Sequence, residues 1–282
     1  MSSQGTLFVV ATPIGNVGDI TERARAVLNK TDFIACEDTR RASKLLRLLS
    51  IDPKSKSLHS FNALNENELT AKIIASLTSG QDVALISDAG TPVLSDPGLP
   101  LLRAAIDRGV VVVPVPGPSA LTACLSVCPL PMHDFRFIGF IDRKRKQKKA
   151  LISELLQQSI PVVCFESPNR LLDSLRLMSE LGAGGRMLFV ARELTKLHEE
   201  KCFDSVDSLI ANFEARERIL GEFVLVIAPS EESKRIDVDH LVEFLSKERI
   251  PTSSSARLLA KLSGITRQEA YRRLTSSAQQ DD

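Results

Sequence analysis

From residue 6 to residue 227, short runs of strand-forming residues alternate with amphipathic helical segments. Thr6–Thr12 is short, continuous and rich in β-branched residues, which is typical of a strand buried on both faces. Val83–Asp88 and Val110–Val115 have the same character, and a helical pattern separates them. Alternation of this kind favours mainly parallel sheets covered by helices. The chain is therefore predicted to be an α/β protein.

The same alternation predicts the individual elements. The further strands are Phe33–Glu37, a weak strand at His59, Phe135–Ile141, Val162–Glu166, Met187–Glu193 and Phe223–Ile227. The helices are Asp19–Lys30, Thr39–Leu49, Glu66–Thr78, Leu99–Arg108, Gly117–Val127, Lys148–Gln158, Arg170–Leu181 and Val206–Arg216. Antiparallel strands can join the second group, after residue 134.

A length of 282 residues predicts about two domains. The segment Cys128–His133 contains two prolines and marks a linker between them. We therefore expect α/β domains at residues 1–129 and 134–228, followed by a small helical domain at 238–276. Its helices are predicted at Val238–Lys247, Ser253–Leu262 and Arg267–Ser276. This tail fits either a helix-turn-helix module for nucleic acid or an appendage for packing and dimerisation.

Three loops rich in glycine and proline follow predicted strands of the first domain. They are Pro13–Asp19, Asp88–Gly98 and Pro114–Ala120. Ligands of open α/β sheets bind outside the carboxyl ends of the strands, where such loops let the backbone approach closely. One such loop is more simply a tight turn, but three at one sheet edge predict a ligand site.

Several common enzyme classes lose support from missing motifs. The first loop lacks the G-x-G-x-x-G spacing of dinucleotide sites, and the chain has no P-loop, HExxH or GxSxG motif. The five cysteines form no CxxC pair and no cluster with zinc spacing, so we expect reduced core thiols and no metal site. The first residues show no signal peptide and no apolar run spans a bilayer, which predicts a soluble cytoplasmic protein without a membrane partner.

Two charged segments are candidates for chemistry. Glu37-Asp38-Thr39-Arg40-Arg41 places acids at a strand end, where they could accept a proton or cap a helix. Arg143–Lys149 contains six cations in seven residues: Arg143, Lys144, Arg145, Lys146, Lys148 and Lys149. Because the net charge is only +1, any polyanion must be held by a local patch, and this run is the candidate for binding RNA. The alternative is a solvated helix start.

The ordered motifs TPIGNVGDI, EDTRR, SDAGTPVLSDPG, VPVPGPSA, FESPNRLL, ARELTK and GEFVLVI resemble one family across residues 12–227. That family is ribosomal RNA small subunit methyltransferase I, within the tetrapyrrole methylase superfamily. The resemblance implies two α/β domains with a cleft that binds S-adenosylmethionine, a helical tail, and a homodimer. It also implies 2′-O-methylation of a cytidine ribose in small-subunit rRNA, on the RNA or the assembled small ribosomal subunit.

Carried over by motif, the resemblance also implies the cofactor-binding residues. They are Pro13, Asp88, Ala89, Gly90, Thr91, Ser119 and Ala120 from the first domain, and Phe165, Leu194, Thr195 and Glu222 from the second. The candidates for the base that takes the 2′-hydroxyl proton are Glu37, Asp38 and Lys196, the last if burial lowers its pKa.

The chain departs from the family pattern at three places. Ala63 follows Asn62 where the family often has an acid, Asn169 stands where a histidine is common, and Ile141-Asp142 replaces Leu-Pro. The missing acid puts a catalytic role of the segment around His59 in doubt. Two alternatives therefore stay open: a methylase of a tetrapyrrole precursor, and an RNA-associated module that binds the cofactor without catalysis.

Overall fold

The computed structural model describes residues 4–230, 241–242, 244–245, 250–263 and 266–277. Its first sheet contains five parallel strands in the order β3-β2-β4-β1-β5. These strands are β1 (Thr6–Val10), β2 (Phe33–Cys36), β3 (Ser57–Ser60), β4 (Val83–Ile86) and β5 (Val111–Val115). The helices between them are α1 (Glu22–Lys30), α2 (Thr39–Leu48), α3 (Glu66–Thr78), α4 (Leu99–Asp107) and α5 (Ala120–Val127). Two apolar clusters cover the sheet, one on each face.

The second sheet has the order β6-β7-β10-β8-β9. Its strands are β6 (Arg136–Phe140), β7 (Val162–Glu166), β8 (Met187–Arg192), β9 (Glu200–Ser205) and β10 (Phe223–Ile227), with helices α6 (Arg145–Leu155), α7 (Pro168–Met178) and α8 (Val206–Glu214). Only β6 and β7 pair in parallel; the other pairs are antiparallel. The predicted α/β class with added antiparallel strands is confirmed.

One strand and several helix starts differ from the prediction. The sequence analysis missed β9 because this edge strand is largely exposed and lacks an apolar run. The helix predicted from Asp19 begins at Glu22, because the Oγ1 of Thr21 accepts the Ala24 amide and caps it. Before it, Val17–Asp19 forms a separate 3₁₀ turn. Helix α5 begins at Ala120 rather than Gly117, after the two prolines 116 and 118.

The two sheets share an apolar interface. Ile14 and Cys124 from the first half pack in one cluster with strand residues of the second half, which are Val163, Phe189, Ala191, Val224 and Val226, together with Leu194. This interface fixes the ends of the two sheets against each other, because closely packed apolar groups resist displacement.

The described part of the tail forms a small helical cluster. Helices α9 (Thr252–Ser263) and α10 (Arg267–Ser277) pack through Ala256, Leu259, Ala270 and Leu274. The predicted helix Val238–Lys247 lies largely outside the described residues. None of the helices described is long and apolar enough to cross a membrane.

Candidate active site between the two sheets

Backbone hydrogen bonds join the three loops at the carboxyl edge of the first sheet. Thr12 and Gly90 exchange two of them, with N···O distances of 2.9 and 3.0 Å. The Oγ1 of Thr91 donates to the carbonyl of Pro118 at 3.3 Å. The loops after β1, β4 and β5 therefore form one continuous surface, as the sequence pattern predicted.

Both the backbone conformation and the nearby Ile14 side chain favour glycine at position 90. Its φ of 80° lies in the left-handed region, and a Cβ there would stand 3.4 Å from the Cγ2 of Ile14. Any side chain at this position is therefore strained and fills the edge where the loops meet.

The first loop also contacts the second sheet. A Cβ on Gly15 would lie 2.3 Å from the Cγ of Lys196, and the amide of Asn16 donates to the Oγ1 of Thr195 at 3.2 Å. Lys196 belongs to the loop after β8, in which Glu193 and Thr195 both have positive φ. The structure thus brings two motifs from different sheets into direct contact.

The residues predicted to bind the cofactor lie at or next to the ends of strands in both sheets. Pro13 follows β1, the segment Asp88–Thr91 follows β4, and Ser119 and Ala120 begin α5 after β5. From the second half, Phe165 lies near the end of β7, Leu194 and Thr195 follow β8, and Glu222 precedes β10. Small side chains at Ala89, Gly90 and Ala120 line the same edge.

A group of carboxylates stands beside these loops. Asp88 pairs with Arg41 at 3.3 Å and accepts the Asp38 amide at 3.1 Å. Burial raises the pKa of Glu37 and of Asp88, and the charge on Asp88 raises that of Glu37 further.

The sequence analysis missed a third member of this group, Asp96. It is half-buried and lies close enough to Glu37 and Asp88 for their charges to act on it. Burial, followed by these like charges, raises its pKa to about 6. Among the described residues it makes no ion pair within 4.0 Å, in contrast to Asp88. The only signal in the sequence was its position in the loop Asp88–Gly98, which the sequence analysis had singled out. In the structure, Val93, Ser95 and Gly98 of this loop have positive φ.

Two of the three candidates for the base, Asp38 and Lys196, are held in ion pairs that make them poor proton acceptors. Asp38 caps α2, accepting the Arg40 amide at 2.7 Å, and its ion pair with Arg40 holds its pKa well below the usual range. Burial acts to lower the pKa of Lys196, but its hydrogen bonds to Glu193 and Glu222 outweigh burial and hold the pKa above the usual value. The condition on which Lys196 was a candidate base, a pKa lowered by burial, is therefore not met.

The basic run lies at the rim of the same junction. It follows β6, where a Cβ on Gly139 would stand 2.8 Å from the Oγ of Ser95 in the loop after β4. Five of its cations are exposed: Arg143, Lys144, Arg145, Lys146 and Lys149. Lys148 is a correction, because its side chain is 3 % exposed and its Nζ is paired with Asp173 at 2.5 Å. It lies on the inner face of α6 and cannot reach a phosphate from there.

His59 and Glu166 have structural roles in this fold. The His59 ring stacks on Phe33 with centroids 4.1 Å apart, and burial lowers its pKa, so that it packs as a neutral ring. The buried Glu166 carboxylate is held by Ser174 at 2.6 Å and Arg170 at 2.8 Å, which anchors the start of α7. Neither group is free for chemistry in this arrangement.

The family model for Tetrapyrrole (Corrin/Porphyrin) Methylases matches residues 6–210, which include the first sheet and four of the five strands of the second. The chain belongs to this family. A protein of Mesorhizobium japonicum named ribosomal RNA small subunit methyltransferase I is 42 % identical over 270 residues, covering 95 % of this chain and 90 % of the relative. A protein of the same name from Xylella fastidiosa is 39 % identical over 276 residues, covering 96 % and 99 %. At this similarity the chain is a methyltransferase of the small-subunit rRNA methyltransferase I family.

Solved structures agree with the fold. Uroporphyrin-III C-methyltransferase from Thermus thermophilus, solved in complex with S-adenyl homocysteine, superposes with a TM-score of 0.56 at 16 % identity. The alignment covers 78 % of this chain and 97 % of that one. The similarity confirms the predicted tetrapyrrole-methylase architecture.

Proposed function

We propose that this methyltransferase transfers a methyl group from S-adenosylmethionine to the ribose 2′-hydroxyl of a cytidine in small-subunit rRNA. One observation carries the proposal: the small-residue loops after β1, β4 and β5 meet a carboxylate group at the same edge, with exposed cations at its rim. The names of the relatives support rRNA as the substrate.

The residues at the junction suit this methyl donor. Its sulfonium and ammonium are cationic, and Glu37, Asp88 and Asp96 provide negative charge beside the loops. Gly90 and the neighbouring alanines leave the backbone accessible, as a flat adenosine requires. Pro13, Asp88, Ala89, Gly90, Thr91, Ser119, Ala120, Phe165, Leu194, Thr195 and Glu222 are the residues proposed to hold it.

Methyl transfer requires that the 2′-oxygen, the methyl carbon and the sulfur be aligned and that the proton of the 2′-hydroxyl be removed. The 2′-oxygen attacks the methyl carbon, the carbon–sulfur bond breaks, and the electron pair stays on sulfur as S-adenosylhomocysteine leaves. Holding the reactants in line can lower the barrier by roughly 7–11 kcal/mol. A positioned base contributes a further factor of about 10²–10⁴. The proton of the hydroxyl goes to Glu37 or Asp96. Burial raises the pKa of both carboxyl groups, that of Asp96 to about 6, which suits a base near neutral pH.

The RNA is held by the exposed part of the basic run. Since the net charge is +1, long-range attraction of the whole molecule is weak and local cations must neutralise the phosphates. Arg143, Lys144, Arg145, Lys146 and Lys149 follow β6 at the rim, so a strand bound to them passes the carboxylate group.

The assembly and location are part of the proposal. The sequence resemblance supports a homodimer with three domains at residues 1–129, 134–228 and 238–276. A location in the cytoplasm is the one predicted from the first residues and the unpaired cysteines of the sequence. Sedimentation tests the dimer, and limited proteolysis with cleavage near residues 130–133 and 229–237 tests the domain division.

The deciding experiment offers the protein labelled S-adenosylmethionine with assembled small ribosomal subunits, with free small-subunit rRNA, or with a tetrapyrrole precursor. Label in rRNA, at one cytidine whose 3′ phosphodiester resists alkali, is the expected result. Label in the tetrapyrrole instead overturns the choice of substrate. Tight binding of S-adenosylmethionine with no label in any acceptor indicates the non-catalytic alternative.

A further inference from the structure

The loop after β1 meets the side chain of Lys196, from the second half, at Gly15. An ideal Cβ on Gly15 would stand 2.3 Å from the Lys196 Cγ and 2.9 Å from the Thr195 Oγ1. Real Cβ atoms do not occur at such distances, so the aliphatic stem of Lys196 rests directly on the backbone of the first loop. The spacing of the two halves at this point is set by this side chain.

The far end of Lys196 is fixed as well. Its Nζ lies 2.8 Å from the Glu193 Oε1 and 3.0 Å from the Glu222 Oε2. The same Glu193 oxygen accepts the Glu222 amide at 2.9 Å, which ties the loop after β8 to the start of β10. The side chains of Lys196 and Glu193 are only 27 % and 18 % exposed, so solvent screens this ion pair less than the pair with Glu222, whose side chain is largely exposed.

Glu193 is held by the backbone on both sides. Its own φ is 51°, and Gly221 adopts a φ of 104° where a Cβ would collide with the Glu193 side chain at 2.5 Å. Thr195, with a φ of 64°, donates its amide to Glu199 at 2.6 Å. Such conformations persist only where the surroundings determine them. The loop after β8 therefore holds Lys196 in a defined position.

The loop after β1 connects the contact with Lys196 to the loop after β4. Ile14, beside Gly15, is buried in the cluster between the sheets, and Thr12 is paired with Gly90 by two backbone hydrogen bonds. A shift of the Gly15 backbone therefore moves Gly90, which lies where the loops after β1 and β4 meet.

We propose that Lys196 is a positioning residue that sets the distance between the loop after β1 and the second sheet, and thereby the width of the site for the methyl donor. It acts as an ammonium held by two carboxylates and takes no proton from the substrate. This inference rests on the proposed function, because the ligand whose fit it controls is S-adenosylmethionine.

Four variants separate positioning from proton transfer. Lys196→Met keeps an unbranched stem without charge, Lys196→Ala removes the stem, Lys196→Arg keeps the charge, and Gly15→Ala forces the loops apart with all charges kept. Lys30→Met is the matched control, because Lys30 is exposed and pairs with Asp82 at the opposite end of the first sheet. Calorimetry measures the dissociation constant for S-adenosylmethionine, single-turnover assays measure methyl transfer, and thermal unfolding confirms that each variant folds.

We expect Lys196→Ala and Gly15→Ala to weaken donor binding by about tenfold or more, a loss of about 1.4 kcal/mol of binding free energy, because both change the spacing of the loops that hold the donor. Lys196→Arg should bind the donor within about threefold of wild type, because it keeps both the stem and the charge. Lys196→Met keeps the stem but loses the ion pairs to Glu193 and Glu222, so its donor binding should fall between those of Lys196→Arg and Lys196→Ala, with most of the methyl transfer retained at saturating donor. The control should match wild type.

Two results would overturn the inference. One is a loss of methyl transfer by 10²-fold or more in Lys196→Met at saturating donor, which would assign proton transfer to Lys196. The other is wild-type donor binding in folded Gly15→Ala and Lys196→Ala. A wild-type protein that binds no S-adenosylmethionine would refute the proposed function instead, so the two failures are distinguishable.

Discussion

The backbone amide of Asn16 donates a 3.2 Å hydrogen bond to the Oγ1 of Thr195, a residue 179 positions further along the chain. It joins the loop after the first strand of one sheet to a loop of the other. Two motifs that the sequence separates by most of its length therefore form one site.

The first prediction concerns Gly90. Gly90→Ala should weaken S-adenosylmethionine binding at least tenfold, because its φ of 80° is strained for alanine and its Cβ would approach Ile14. Gly109→Ala is the matched control: its φ is 68°, and a Cβ there meets nothing within 4 Å. Both variants should lose about 1–2 kcal/mol of stability, measured by urea unfolding. If both bind the donor equally well by calorimetry, the loops at Gly90 do not form the donor site.

The second prediction concerns the proton. Replacement of the true acceptor, by Glu37→Gln or Asp96→Asn, should slow single-turnover methyl transfer by about 10²-fold or more, with donor affinity nearly unchanged. Asp38→Asn is the control, since asparagine also caps a helix and Asp38 is already paired with Arg40. Wild-type rates in both Glu37→Gln and Asp96→Asn would exclude the carboxylate group as the base.

The third prediction follows from the pKa of Asp96, raised from its ordinary 3.8 to about 6. Between these values the folded protein binds more protons than the unfolded chain, so this carboxyl lowers stability as pH rises from 4 to 6. Asp96→Asn should therefore be more stable than wild type at pH 7, by about 1 kcal/mol after allowance for solvent screening. The gain should vanish at pH 4. Urea unfolding at both pH values measures it, and a destabilised variant at pH 7 would contradict the assignment.

The fourth prediction concerns RNA. Each phosphate neutralised on a single strand contributes about −0.7 to the slope of log affinity against log salt. Changing Arg143, Lys144, Lys146 and Lys149 to glutamine should flatten this slope by roughly 2–3 units, with donor binding unchanged. Lys148→Met should leave the slope alone, because Lys148 is buried against Asp173. An unchanged slope in the quadruple variant would show that the run is a solvated surface.

Much of the fold was predictable because its signals are local. The buried strands β1, β4 and β10 are continuous apolar runs, and parallel strands place the loops that follow them at one edge. The loops at Pro13, Asp88 and Ser119 could therefore be placed together before any coordinates were known. The edge strand β9 could not be predicted, because half of its residues face solvent and its sequence has no apolar pattern.

The sequence by itself determined the α/β class, the family and the segments that form the site. Only the tertiary structure decided the states of the side chains within them. Lys196 is a charged lysine between Glu193 and Glu222, and Lys148 turns inward to Asp173. Burial and the charges on Glu37 and Asp88 raise the pKa of Asp96 to about 6. A pKa depends on burial and on charges a few ångströms away. Those neighbours come from distant parts of the chain, so only folding brings them together.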